Sequence, residues 1–156
     1  MPLPSRIIKS VLIASLFPPA IFTALSLIFG PPVDKWLLVT IFLAWFGGIL
    51  LLVVVGLPVF LILEKLKQLH LRSISTAGFA IGFVAVTVTN WPLLALYDGY
   101  SSGGSFFGSY VELFINGKPT IYGWLNLLTI SFLYGLLGSA CSILFWRVWV
   151  SDAPNK

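Results

Sequence analysis

Twenty-eight consecutive residues, Trp36 to Leu63, contain no Asp, Glu, Lys or Arg. A helix needs about 20 mostly apolar residues to cross the hydrocarbon core of a bilayer. Inside that core no water satisfies backbone N–H and C=O groups, so an apolar run of this kind crosses as a helix that pairs its own backbone. Three more runs meet the same criterion: Ile7–Phe29, Ser73–Leu96 and Ile121–Val150. Breakers separate them. "GPPVDK" follows the first run, "EKLKQLHLR" the second, and a polar, glycine-rich segment, Tyr97–Thr120, the third. The chain reads as one membrane domain over residues 1–156, an all-α, four-transmembrane-helix bundle. Its spans fall at about 7–29, 36–63, 73–96 and 121–150, with a loop at 97–120.

Composition excludes a soluble alternative. The chain is 58% hydrophobic and 9% charged, whereas soluble domains carry roughly 25% charged residues. Lipid is therefore the first partner the sequence implies. Nucleic acid is not one, because the basic residues are few and scattered. The first run has Arg6 and Lys9 ahead of or within it, as a signal peptide would. Its apolar core is too long for one, and "LIFGPP" is a poor cleavage sequence, so a retained helix is expected.

Orientation follows from Lys and Arg, which concentrate on the cytoplasmic side of membrane proteins. Arg6, Lys9, Lys65, Lys67, Arg72, Arg147 and Lys156 lie on one side of the four spans, and Lys35 and Lys118 on the other. Both termini and the Glu64–Arg72 loop are thus expected inside (N-in, C-in), and the 30–35 and 97–120 loops outside. Aromatic residues agree: Trp36, Trp91, Tyr97, Tyr122 and Trp124 fall at the outer boundary, Trp146 and Trp149 at the inner one. The expected location is a bacterial inner (cytoplasmic) membrane. Pro18 and Pro19 predict a kink in the middle of the first helix, and "GLP" at Gly56–Pro58 a loosening of the inner end of the second.

Lipid is as apolar as Leu, so membrane helices associate through close approach at small residues. Gly78 and Gly82 form a G-x-x-x-G pair on the third span. Ser131, Gly135 and Ser139 repeat at spacing four on the fourth, with Gly138 and Ser142 on an adjacent line. Ala44, Gly48 and Gly56 lie on the second. Packing within one chain is the favoured use of these stripes; a homodimer face is the alternative.

Polar side chains inside spans need partners. Thr87 and Asn90 share a face of the third helix, as do Asn126 and Thr129 on the fourth. Thr23, Ser26 and Thr40 lie at comparable depth. Together they outline a candidate polar pocket in the outer half of the bundle, with plain interhelical hydrogen bonding as the simpler use. Catalytic and metal chemistry find little support. No ionisable residue sits mid-span, as proton-coupled transport and the small four-helix multidrug exporters require. The single histidine, His70, has no second His or Cys near it, and the single cysteine, Cys141, forms no redox pair and reads as a small packing residue. "SSGGSFFGS", from Ser101, lacks the ending of a phosphate loop and reads as a flexible turn. In size and span number alone the chain is similar to the small four-span aspartyl peptidases of bacterial lipoproteins. The asparagine–aspartate motifs of that family are absent, and Asp98 and Glu112 read as solvated loop residues. No cofactor is expected, and no enzymatic role.

One segment departs from the lipid-like pattern. In "SYVELFINGKPTIYGW", Ser109–Trp124, alternating residues lead to Asn116–Gly117, the strongest short hairpin signal because both turn positions tolerate positive φ. Lys118 to Tyr122 are read as the return strand. The expectation is an outward β-hairpin-like cap between helices 3 and 4, carrying Phe106, Phe107, Tyr110, Phe114 and Tyr122 around the turn. Aromatic residues at a water-facing surface are typical of protein contacts. The sequence thus favours a non-enzymatic interaction, accessory or immunity-type protein that meets a membrane or exported partner through this loop and its helix faces. The alternative is a small transporter or lipid-handling protein using the polar pocket.

Overall fold

A computed structural model describes residues 3–29, 35–91, 100–106 and 108–151. Asp98, Phe107, Lys156, the 30–34 loop and the 92–99 stretch lie outside the described residues, as do the side chains of Arg6, Ser26, Lys35, Trp36, Thr40, Ala44 and Phe106. The described chain is mostly helical: α1 (Leu3–Ser15), α2 (Phe17–Phe29), α3 (Lys35–Leu51), a π-helical turn (Leu52–Gly56), α4 (Leu57–Lys65), α5 (Leu71–Thr89) and α6 (Ile121–Ser151). Between α5 and α6 stands a small antiparallel sheet of β1 (Ser102–Phe106), β2 (Ser109–Ile115) and β3 (Lys118–Pro119), in that order.

Three helical stretches are long and apolar enough to cross a membrane: Ile41–Lys65, Leu71–Thr89 and Ile121–Ser151. The surface fits that role. Phe42 and Leu43 are each 60% exposed and Leu133 54%, while Ser10 and Ser131 are fully buried. Large apolar side chains outside and small polar ones inside invert the arrangement water selects.

The first run differs from expectation. It is not one long helix but two 13-residue helices, α1 and α2, broken at Leu16. Pro18 and Pro19 lack the N–H groups that would bond the carbonyls of Ala14 and Ser15. The chain breaks one residue before α2, so that both prolines sit in its first turn, where the missing donors have no intrahelical use. Leu16 closes α1 with a short bond, its N–H donating to the Ile13 carbonyl at 3.3 Å, and its own carbonyl accepts from Ala20 at 3.1 Å.

The second run is continuous but changes pitch. Over Leu52–Gly56 the helix widens by one residue per turn, and Leu57 N–H donates to the Leu52 carbonyl five residues back. Pro58 then occupies the first turn of α4. The wide turn absorbs a proline without a sharp break. The third run is shorter than predicted. α5 ends at Thr89, because Trp91 precedes Pro92 and the residue before a proline disfavours the helical region.

A buried apolar cluster forms where α1, α4, the start of α5 and the end of α6 meet. Val11, Ala14, Phe60, Ile74, Phe145 and Trp149 form the buried cluster there. Phe60 stands edge-on to both Phe145 and Trp149, with ring centroids 4.9 and 5.2 Å away.

Candidate functional site

The sheet between α5 and α6 is more than a hairpin. Asn116 and Gly117 both have positive φ, 48° and 76°, the conformation of a tight I′-type hairpin turn. The predicted return strand, Lys118–Tyr122, is only two residues long. Pro119 cannot extend the ladder, and the chain enters α6 at Ile121. The main partner of β2 is β1, on the other side. This corrects the reading of the Ser101 segment as a flexible turn: its residues Ser102–Phe106 pair in register with Phe114–Ser109, interrupted by one bulge at Ser102/Gly103. Glycine belongs there for space. A Cβ on Gly103 would run into the Tyr110 ring, and one on Gly104 would lie 3.1 Å from Leu113 Cδ1. The hairpin turn is also held from behind. Gly117 N–H donates to the Tyr100 carbonyl at 2.6 Å, and Asn116 N–H to Ser101 Oγ at 3.1 Å.

The sheet is locked onto α6 by two residues, Thr120 and Gly123. Thr120 is the N-cap of the helix. Its Oγ1 accepts from Gly123 N–H at 3.2 Å and donates to the Glu112 carbonyl at 2.6 Å, while Thr120 N–H donates to the Leu113 carbonyl at 2.9 Å. Gly123 is buried, and a Cβ there would lie 2.5 Å from the Leu113 carbonyl oxygen. A signal for the cap is present: a Thr directly before a long apolar run. Gly123 has no such signal, because only the docked sheet makes that position crowded.

The aromatic residues predicted to mark the surface separate into two groups. Tyr110 is 78% exposed. Tyr122, Tyr100 and Trp91 are also exposed, beside Ile115 and Ile121. Phe114 is instead half-buried and packs edge-on to Tyr100, with centroids 5.8 Å apart. Trp91 and Trp124 pair edge-on at 5.5 Å, joining the end of α5 to the start of α6 below the sheet. Glu112 is exposed on β2.

Thr87, Asn90 and Thr129 of the predicted polar pocket hydrogen-bond to other groups and not to one another. Thr87 Oγ1 donates to Ser131 Oγ at 3.0 Å and lies 2.7 Å from the Phe83 carbonyl. Asn90 is exposed and bonds its own helix, Nδ2 donating to the Val86 carbonyl at 3.1 Å. Thr129 is exposed and donates to the Leu125 carbonyl at 2.9 Å. Asn126 is half-buried. The Thr87–Ser131 bond crosses between helices, and a second bond joins Ser75 Oγ to Ser139 Oγ at 2.6 Å. Because interhelical bonds in membrane proteins average about 0.6 kcal/mol, Thr87→Val should lower stability in detergent by that order, and Thr87→Val with Ser131→Ala by little more. Thermal unfolding of the two variants checks this; a double variant far worse than the single would show that Ser131 holds something else.

The packing stripes divide as well. Gly78 faces the Gly138 carbonyl and Ser142, Gly82 faces the Tyr134 carbonyl, and Gly135 faces the Phe79 ring. At Gly78 and Gly82 α5 and α6 touch backbone to backbone. Gly48 makes no such approach, for a Cβ there would meet nothing within 4 Å. It borders a half-open apolar cavity of about 120 Å³ between the second helical run, α5 and α6. Among the described residues no three His, Cys, Asp or Glu side chains gather as metal ligands. Compared with protein-family models, curated proteins and solved structures, the chain matches none.

Proposed function

We propose that this is a four-pass membrane protein, N-in and C-in in a bacterial inner membrane, that works by contact through its outer sheet and not by catalysis. The supporting observation is the mounting of the sheet. A hairpin alone is marginal in water and gains stability by packing against a helix; here the Thr120 cap and the Gly123 approach tie the sheet to a 31-residue helix. That fixed platform displays Tyr110, Tyr122, Ile115 and Ile121, a group of side chains typical of protein contacts. A membrane or exported protein is the partner this surface suits, and the role is that of an accessory or immunity-type protein. The transporter reading finds less support, since Thr87 bonds across to α6 while Asn90 and Thr129 bond within their own helices.

Topology is tested with single cysteines in a Cys141→Ser background. Ser102→Cys should react with an impermeant maleimide in intact cells, and Gln68→Cys only after permeabilisation; reaction of both from one side would sink the four-pass arrangement. The contact itself is tested with a photo-crosslinking residue. At Tyr110 it should give one discrete adduct in intact cells, lost when Gly117→Val spoils the turn. At Leu133, on the lipid face, it should give none. No adduct at Tyr110, or equal adducts at both positions, would count against a contact surface.

A further inference from the structure

The two edges of the sheet between α5 and α6 are built differently. The edge beside β3 is closed. Lys118 and Pro119 pair with Ile115 and Phe114, and the Glu112 and Leu113 carbonyls accept bonds from Thr120. Lysine and proline are residues that sheet proteins place on an edge to keep other strands away. The far edge, β1, has neither. Ser102–Phe106 reads "SGGSF", and among the described residues no strand pairs with it on the side away from β2. A bulge interrupts its pairing at Ser102/Gly103, but Gly103–Phe106 run in unbroken register with Glu112–Ser109.

Antiparallel pairing uses the N–H and C=O groups of alternate residues, so a strand paired on one side turns the groups of the others outward. On β1 those groups lie among glycine and serine, whose side chains are too small to screen them. One large side chain approaches from the neighbouring strand. The register sets Tyr110 opposite Ser105, and its ring slants across β1 to the place where a Cβ on Gly103 would stand. Tyr110 is largely exposed even so. A strand laid along β1 would find backbone donors and acceptors at its side and an aromatic face under one of its side chains.

We infer that β1 is the docking edge for an extended segment of the partner protein, which joins the sheet as a fourth strand; this rests on the contact reading proposed above and names the conformation of what is bound. The edge decides the occupant, because a row of unpaired N–H and C=O groups is matched by another extended backbone. A second copy of this chain is the poorer match. β1 against β1 would set glycine and serine opposite glycine and serine, whereas cross-strand side-chain pairs are what stabilise a sheet. The partner's strand instead brings an apolar or aromatic side chain where it crosses Tyr110. Recognition through main-chain groups requires no charge, so Glu112 takes no part in it.

The test is the register of crosslinks made by the full-length protein in intact cells. A photo-crosslinking residue is placed singly at Ser102, Ser105 and Lys118, and the joined residue in each adduct is located by tandem mass spectrometry. Ser102 and Ser105 should join one short segment of one protein at sites about three residues apart, because neighbouring strands have nearly equal rise per residue. Lys118, on the closed edge, should give no adduct with that segment. Scattered sites, one site shared by Ser102 and Ser105, or an adduct from Lys118 alone overturns the proposal, and so does an adduct of two copies of this chain. An adduct at Tyr110 without this register would remove the added strand and leave the contact reading standing; no adduct at Tyr110, Ser102 or Ser105 would remove both. Ser105 and Lys118 are exposed, so the contrast between them decides the edge however Ser102 accepts the probe.

Discussion

Gly82→Leu should unfold the protein at markedly lower temperature or detergent strength than Gly135→Leu, and Gly48→Leu should leave stability nearly unchanged. The order comes from what each new side chain would meet. At Gly82 the obstacle is backbone: the Tyr134 carbonyl, with the Gly135 Cα 3.3 Å away. Backbone within a helix cannot step aside, so α5 and α6 must separate, and their contact is the most extensive in the bundle. Overpacked cores lose about 1–3 kcal/mol, occasionally more, and Gly82 belongs at the upper end. At Gly135 the obstacle is the Phe79 ring, 2.8 Å from the place a Cβ would take. A ring can turn, though it is also in contact with Phe83 and Phe132, so some cost remains. At Gly48 nothing lies within 4 Å, and a substitution free of contacts stays within about 0.5 kcal/mol. Thermal unfolding of the three variants in one detergent gives the ranking. A Gly48 variant as damaged as the Gly82 variant would mean that the second helical run packs closely on a neighbour in the membrane, within the chain or in a second copy.

The second large effect is expected at the sheet between α5 and α6. Asn116→Pro with Gly117→Val should dissolve the sheet while the helices insert and fold normally. Both turn positions have positive φ, which costs a β-branched residue about 1–2 kcal/mol and which the proline ring forbids. The proline also removes the N–H that donates to Ser101 Oγ. A sheet of three short strands has little stability to spare. Hydrogen exchange should show residues 102–119 losing protection while α5 and the C-terminal half of α6 keep it. The crosslink at Tyr110 should disappear in the same variant, whereas Glu112→Gln should leave it intact. If Glu112→Gln alone abolished the biological effect of the protein, an acid-dependent role would replace the contact role. If the sheet stayed protected in the turn variant, the anchor at Thr120 and Gly123 would outweigh the turn.

These outcomes turn on two kinds of information. Local chemistry is readable from the residues themselves. Long uncharged runs such as Trp36–Leu63 demand a bilayer because nothing else solvates them. Asn116–Gly117 announces its turn because few other pairs tolerate positive φ twice, and Gly78, Gly82 and Gly135 announce close helix contact because membrane helices have little else to pack with. What no residue declares is its neighbour. Pro18 and Pro19 predict a kink, but whether the helix bends through them or restarts ahead of them depends on the whole path of α1 over α6. "SSGGSF" has the composition of a loop, and it becomes β1 only because β2 offers it the edge opposite the one that pairs with β3. Thr87 and Ser131 sort by sequence into a pocket and a packing stripe, yet they form one hydrogen bond, since 44 residues of separation hide a 3.0 Å contact. Gly48 and Gly82 look alike in sequence; one has open space beside it and the other presses on backbone, because only the crossing of the helices determines where space is left.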